Sequence, residues 1–413
     1  MSGPAIPVSS CPRSNKPARA AAVGYWQLVA AGEPFRLLFP VGAAIGICGV
    51  LLWPLFVWKA ISVYPGPFHA KVMIEGFLAS FVIGFLGTAL PRLLGVPRIT
   101  IWESVGFAGA LVTVASLQAT RHPLAGDLSF FCALSLFVCA LGIRALIRKD
   151  SPPPSFLLVA LGILSALVGV ALQIIGQVAP SLLPESAAVL GRLLLNQGFV
   201  LLPIMGVGAF LLPRFFDLPS RQSFPESAAM PPEWGARACF ALACGLSVLV
   251  GFFLEARGFA RWGCGFRAVA FVAFFVRELP VHRAGFSGGS LAHALRLALF
   301  SIPSGYVLMS IWPERTTSLL HIVFITGFSL ITFAVATRVV LGHSGQAAKF
   351  QSRLWPVIAL ATLVVFAMLT RVSADWMPAI RLSHYAYAAI IWAAGVLIWA
   401  LAILPSVSKA DKD

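Results

Sequence analysis

Long apolar runs constrain this chain more than any other feature of its sequence. Twelve such runs follow one another, each close to the roughly 20 residues that a helix needs to cross a bilayer. Only 11% of the residues are charged, against about a quarter in soluble domains, so a soluble globular fold is excluded. We therefore predict an all-α integral membrane protein, a twelve-helix transmembrane bundle. Its helices are expected at 36–58, 69–94, 101–119, 128–147, 155–179, 188–212, 236–254, 262–279, 291–312, 319–341, 352–370 and 378–404.

The runs also divide the chain into a membrane domain and two tails. Arg267 and Arg277 interrupt the eighth run, which makes it the weakest of the twelve. The longest connection, 217–235, is rich in proline and serine and is predicted to be a loop. The predicted domains are a disordered basic N-terminal tail (1–33), a twelve-helix membrane domain (34–405) and a short cytoplasmic tail (406–413).

The net charge of +15 is explained better by membrane topology than by nucleic-acid binding. The basic residues are scattered one or two per loop, and most fall on the side that holds both termini. The positive-inside rule then predicts a multi-pass protein of the cell inner membrane with both termini cytoplasmic. The seven cysteines include no C-x-x-C pair and are interpreted as small buried residues.

A concealed repeat relates helices 2, 6 and 10. Arg92, Arg214 and Arg338 end these helices and lie four helices apart each time. Counting back the same number of residues from each arginine reaches a polar residue, namely Glu75, Gln197 and His321. This spacing predicts three pseudo-repeats of four helices around a shared interior. Chance remains the alternative, because helix ends of this composition are common in membrane proteins.

The tenth run and the turn after it place an imidazole near each end of one membrane span. His321 opens the helix, Arg338 stands near its other end, and His343 lies in the Gly342–Gly345 turn. Neutral imidazole binds haem iron and copper. The run resembles the signature of the NnrS family. The matching letters are His321, Gly327, Thr337-Arg338, Leu341-Gly342-His343 and Gly345.

A second stretch resembles the same family. Its matching letters are Phe68-His69-Ala70, Met73, Gly76-Phe77, Gly84-Phe85, Thr88-Ala89 and Pro91. Lys71 and Val72 stand where the family has a second histidine and a glutamate, and Glu75 replaces an apolar residue. The resemblance implies a polytopic inner-membrane protein that contains haem and copper and is linked to nitric oxide stress and denitrification. The missing histidine leaves copper open, and the haem type is also open. Three arcs of four helices are also the layout of the haem-copper oxidase main subunit, an analogy of topology alone.

The resemblance implies His69, His321 and His343 as metal ligands. His69 and His321 are expected to be the axial pair of a haem near the periplasmic face. His343 lies one membrane thickness away and needs its own site or a structural role. Arg338 is a candidate partner for a haem propionate. The remaining histidines are weaker candidates, with His122 and His282 interpreted as solvated and His293 and His384 as helix-start residues.

Glu75 is a charged residue predicted at membrane depth, where such residues usually serve a function. It is interpreted either as a proton relay or as the ion-pair partner of Lys71, one helical turn away. Two other functions stay open for the whole chain, a secondary transporter and a cofactor-free membrane scaffold. The expected partners are haem and the lipid bilayer, without nucleic acid, and the residues leave open whether the protein is an enzyme.

Overall fold

The computed structural model describes residues 24–224, 227–281, 285 and 288–411, and within them the protein is a bundle of twelve long helices. The predicted helices are all present, with ends that differ from the predicted ones by a few residues, so the all-α bundle is confirmed. The helices are α1 Phe35–Val57, α2 Gly66–Leu93, α3 Ile101–Ala119, α4 Pro123–Ala145, α5 Phe156–Val178, α6 Glu185–Phe215, α7 Pro232–Ala256, α8 Ala260–Glu278, α9 Ser290–Ile311, α10 Pro313–Gly342, α11 Trp355–Trp376 and α12 Pro378–Ser408.

The helices form three arcs of four. In each arc the first helix packs on the second and the third on the fourth. The arcs close into a ring, because α4 packs against α5, α8 against α9, and α12 against α1. The second helix of each arc lies inside the ring, since α2, α6 and α10 have 78, 78 and 61% of their most apolar stretch buried, against 56% or less in the other spans. The predicted threefold pseudo-repeat is therefore confirmed.

Each inner helix contains a π-helical segment, which holds more residues per turn than an α-helix. The three segments are Val72–Leu78, Leu194–Gly198 and Ile322–Phe328. Each segment is marked by a Gly-Phe pair. Gly76-Phe77 and Gly327-Phe328 lie inside their segments, and the third segment ends at the glycine of Gly198-Phe199.

The π-helical segments correct one detail of the predicted repeat. Counted from the Gly-Phe pairs, Thr326 corresponds to Glu75 and Gln197, and His321 lies five residues earlier. The count from the arginines was wrong because Arg338 follows its Gly-Phe pair after fewer residues than Arg92 follows its own. His321 is consequently nearer to the level of His69 than the arginine count predicts.

The outer surface of the ring is that of a multi-pass membrane protein. Eleven of the twelve helices are long and apolar enough to cross a bilayer. Large aliphatic side chains such as Leu136, Ile143 and Val269 are exposed along the helices. Exposed tryptophans stand near helix ends, as in the aromatic belts at membrane interfaces. They are Trp58, Trp102, Trp262, Trp312, Trp355 and Trp376.

Both described ends of the chain lie on one face of the bundle, which we call the terminal face. Arg36 donates hydrogen bonds to the carbonyl oxygens of Val407 and Lys409. These bonds hold the last described residues against the start of α1, and Val407 is buried. Within the predicted N-terminal tail, Tyr25–Ala30 forms a short helix, while residues 1–23 lie outside the described residues. The opposite end of the bundle is called the cavity face.

Candidate functional site

A cavity of about 500 Å³ opens where α2, α6 and α10 begin, at the cavity face. Its size falls within the range of small-molecule and cofactor sites, about 300–1,000 Å³. The π-helical segments of the three inner helices contribute to its wall, and α1, α7, α11 and α12 complete it. Aromatic side chains supply much of the lining, namely Trp53, Tyr64, Phe77, Phe324, Tyr385 and Trp392. The cavity is therefore shaped for a large and mainly apolar ligand.

His69 and His321 both line this cavity. The Nδ1 atom of His69 lies 3.0 Å from the carbonyl oxygen of Gly49 on α1, and Nδ1 of His321 lies 2.7 Å from the carbonyl oxygen of Thr317. A carbonyl oxygen only accepts, so Nδ1 carries the hydrogen in both rings and Nε2 is left for another partner. Metal-binding histidines are commonly oriented in this way. The structure thus brings the two histidines predicted as an axial pair into one cavity.

Two arginines on the cavity wall were missed by sequence reasoning. Arg371 on α11 lies 3.3 Å from Asp375 Oδ2 and stacks 4.0 Å from the ring of Tyr385, whose hydroxyl donates to Asp375 Oδ1. Arg192 on α6 lines the cavity and makes no hydrogen bond or ion pair with the described residues. The four-residue spacing of Arg371 and Asp375 was the one signal in the sequence that could have found this pair.

The α6 side of the cavity is fixed by a fully buried arginine from α8. Arg267 donates from Nη1 to Gln197 Oε1 at 2.9 Å and pairs through Nη2 with Glu255, which itself lines the cavity. The hydroxyl of Tyr306 donates to the same oxygen of Gln197 at 3.0 Å. Gln197 is therefore a hydrogen-bonding residue between helices, as its amide type favours.

Glu75 does not line the cavity but faces α3 and α4 from the other side of α2. Its Oε1 lies 3.6 Å from Lys71 Nζ, and its Oε2 accepts a hydrogen bond of 2.8 Å from Gln118. Lys71 also pairs with Asp127, a residue that the sequence reasoning did not single out. The ion pair expected of Lys71 and Glu75 is present, in a larger polar cluster.

His343 and Arg338 lie near the terminal face, away from the cavity. His343 Nδ1 lies 2.7 Å from Glu33 Oε1, which also pairs with Arg92, and Arg36 pairs with Glu33 Oε2. Burial raises the pKa of Glu33, but the hydrogen bond from His343 and the positive charges around it lower that pKa to about 2. His343 thus takes a structural place in an ion-pair network.

Arg338 is packed between two aromatic rings. Its guanidinium carbon lies 4.6 Å from the ring centre of Phe215 and 4.3 Å from that of Phe350. Of the four residues predicted to bind a cofactor, the structure brings together His69 and His321, and it leaves His343 and Arg338 at the other end of α10.

The other described histidines, His122, His293 and His384, do not line the cavity. His293 and His384 donate from Nδ1 to carbonyl oxygens at their own helix starts, those of Gly289 and Ile380. His122 is exposed before α4, and His282 lies outside the described residues. Within the part of the chain that the structure describes, no group of three or more histidine, cysteine or carboxylate side chains is arranged to hold a metal ion.

Comparison with known proteins gives one family. The model of the NnrS family, described as NnrS protein, matches residues 30–410. This match spans all twelve helices and includes the two stretches that carry the similar letters around His69 and His321. A search of curated proteins found no match to the chain.

Proposed function

The chain belongs to the NnrS family, and from that premise we propose that it binds haem in the cavity through His69 and His321 and acts in the response to nitric oxide or in denitrification. The observation that carries the proposal is the meeting of these two histidines in one cavity, each with Nδ1 bonded to a backbone carbonyl. Neutral imidazole with a free Nε2 is the ligand that haem iron takes from many proteins.

The rest of the cavity fits the other parts of a haem. Aromatic rings such as Phe77, Phe324 and Trp392 suit the flat apolar macrocycle. Arg192 and Arg371 suit its carboxylates, because a guanidinium binds a carboxylate with two parallel hydrogen bonds. Bound haem would supply an iron able to bind a small uncharged molecule such as nitric oxide. The carbonyl groups of Gly49 and Thr317 would hold the two imidazoles in orientation for it.

The residues do not fit a copper ion in the same way. Lys71 stands at the position of the family's second histidine, and its ammonium is held by Asp127 and Glu75. An ammonium has three hydrogens and no lone pair with which to bind a metal. We therefore assign no step to copper, and we give His343 and Arg338 structural roles at the terminal face.

Removal of either cavity histidine is expected to reduce haem binding. Purified wild-type protein should show a Soret band, and pyridine haemochrome analysis should give its haem content per chain. His69→Ala and His321→Ala should each lower that content at least several-fold, because each removes one iron ligand. His384→Ala is the matched control, since His384 has the same Nδ1–carbonyl hydrogen bond but does not line the cavity. It should keep the wild-type haem content.

Two outcomes would count against the proposal. Wild-type protein produced with ample haem supply and still colourless would favour the transporter or the cofactor-free scaffold. Both alanine variants with a wild-type spectrum and haem content would place the haem elsewhere. Metal analysis of the same samples separates a haem protein from a scaffold without cofactor.

The nitric oxide role has its own test. Nitric oxide added to the reduced wild-type protein should shift the Soret band, because the iron would exchange a ligand for it. A haem protein whose spectrum nitric oxide leaves unchanged would retain the haem assignment and lose the proposed link to nitric oxide binding.

A further inference from the structure

A buried polar cluster lies between α2, α3, α4 and α5, and the haem proposal makes no use of it. Its members are Lys71 and Glu75 on α2, Gln118 on α3, Asp127 on α4 and Gln177 on α5. Glu75, Gln118 and Asp127 are completely buried. The side chain of Lys71 is 15% exposed, and Gln177 at the edge of the cluster is exposed.

Both carboxylate oxygens of Asp127 accept hydrogen bonds, whereas only one oxygen of Glu75 does. The amide of Gln118 donates to Glu75 Oε2 and to Asp127 Oδ1, each at 2.8 Å. Lys71 also bonds Asp127 Oδ1, and Gln177 donates to Asp127 Oδ2 at 2.7 Å. Glu75 Oε1 makes no hydrogen bond and is completely buried. The ammonium of Lys71 lies 3.6 Å from it.

The charges of the cluster do not balance when both carboxyl groups are ionised. Among the described residues, the ion pairs of the cluster join Lys71 to Glu75 and to Asp127, so two negative charges face one positive charge. An unpaired charge inside a membrane protein is costly. The carboxyl groups of Glu75 and Asp127 share two neighbours, the amide nitrogen of Gln118 and the ammonium of Lys71. Two carboxylates in such a position hold a proton between them more readily than two separate ones.

We propose that Glu75 and Asp127 together bind one proton in this buried site. One carboxylate and one proton give one carboxyl group, so that the cluster becomes neutral and the uncompensated Glu75 carboxylate gains a hydrogen. The site stands behind the cavity wall, because Ile74 and Phe77 on the same π-helical segment line the cavity. A change of charge in the cavity therefore acts on this proton across a single helix.

Infrared spectroscopy of the purified protein tests the site directly and does not require haem. A protonated carboxyl group has a C=O stretch separate from that of a carboxylate, and its band shifts in D₂O. Wild-type protein at neutral pH should show such a band with an intensity of one group per chain. Glu75→Gln and Asp127→Asn should each remove it, because either change restores the balance of one carboxylate and one ammonium.

Glu103→Gln is the matched control for the loss of a carboxyl group from a membrane helix. Glu103 has its own cation, with Arg144 bonded to both carboxylate oxygens at 2.8 and 2.9 Å, and Thr100 also donates to it. We expect no proton on this carboxylate, so the band should remain in the control variant.

A wild-type spectrum without the band would overturn the proposal, and so would a band of unchanged intensity in both Glu75→Gln and Asp127→Asn. If either variant fails to accumulate in the membrane, ¹³C labelling of side-chain carboxyl groups in the wild type decides instead. The band must shift with labelled glutamate or with labelled aspartate, and a band that shifts with neither contradicts the site. Since the measurement is made on the protein itself, its failure is distinguishable from a failure to bind haem.

Discussion

At the scale of single residues, the two histidines near the ends of α10 have different roles. His321 lines the cavity, and His343 belongs to an ion-pair network. Nδ1 of His321 is hydrogen-bonded to the backbone carbonyl of Thr317, whereas Nδ1 of His343 is hydrogen-bonded to the carboxylate of Glu33. The sequence placed both at helix ends and could not distinguish them. The distinction comes from Glu33, which lies far away in the sequence and reaches His343 only in the folded bundle.

The Glu33 network makes stability depend on acid pH. The pKa of Glu33 is lowered from 4.5 to about 2 in the folded protein, since the hydrogen bond and charges that favour its carboxylate outweigh the effect of burial. A lowered folded-state pKa means stabilisation that is complete above about 4.5 and is lost as the pH falls toward about 2. Glu33→Gln should therefore lower the thermal midpoint in detergent at neutral pH. The difference from wild type should shrink steadily through that acid range.

The exposed residue Glu185 supplies the control for this prediction. It has no ion-pair partner among the described residues, so Glu185→Gln should leave the melting temperature and its pH profile unchanged. A Glu33→Gln protein that melts like wild type at neutral pH would show that the network contributes no stability.

At the scale of whole elements, α8 shows what apolar length does and does not predict. Length and composition predicted all twelve helices, and they ranked α8 last because of its arginines. What they could not predict is why α8 forms at all. Arg267 forms an ion pair with Glu255 on α7 and a hydrogen bond with Gln197 on α6, and both contacts join residues of separate runs. Contacts between separate runs also include the pairing of Lys71 with Asp127, so most of the buried polar cluster could not be predicted from the sequence either.

Loss of the Arg267 charge is expected to destabilise the bundle. Arg267→Met removes the cation that pairs with Glu255, whose side chain is mostly buried. Loss of one partner of a buried ion pair typically lowers the free energy of unfolding by about 3–5 kcal/mol. The double variant Arg267→Met with Glu255→Gln should recover a large part of that loss, because the stranded charge is then gone. Thermal unfolding in detergent measures both effects.

Arg277 on the same helix is the control for this prediction. Its side chain is 48% exposed, and its buried partner Glu278 keeps hydrogen bonds from Gln222 and Arg237, so Arg277→Met should change the stability by less than about 1 kcal/mol. Equal losses for Arg267→Met and Arg277→Met, or no recovery in the double variant, would contradict the role given to the buried pair.

At the scale of the whole molecule, the repeat of four helices could be predicted from the spacing of a few residues, and the register inside it could not. The arginines at the ends of α2, α6 and α10 indicated equivalent helices, and the ring of three arcs confirms this. The Gly-Phe pairs at the π-helical segments show that α10 departs from the arginine count, because its pair lies closer to its arginine than the pairs of α2 and α6 do. The cavity depends on that register, because side chains from all three segments line it.

The terminal face carries more of the described arginines and lysines than the cavity face, including Arg92, Arg98, Arg144 and Arg237 near helix ends. From the positive-inside rule we expect this face to be cytoplasmic and the cavity to open toward the periplasm. Twelve crossings return the chain to the side where it starts, as the hydrogen bond from Arg36 to Lys409 requires.

A pair of reporter fusions tests this orientation. A fluorescent protein fused after Asp413 should be fluorescent in the cytoplasm, and alkaline phosphatase inserted after Lys59, in the loop between α1 and α2, should be active in the periplasm. Alkaline phosphatase inserted after Ser227, in the loop between α6 and α7 on the terminal face, should be inactive. A C-terminal fusion that proves periplasmic would reverse the bundle. It would turn the cavity, with His69 and His321, toward the cytoplasm.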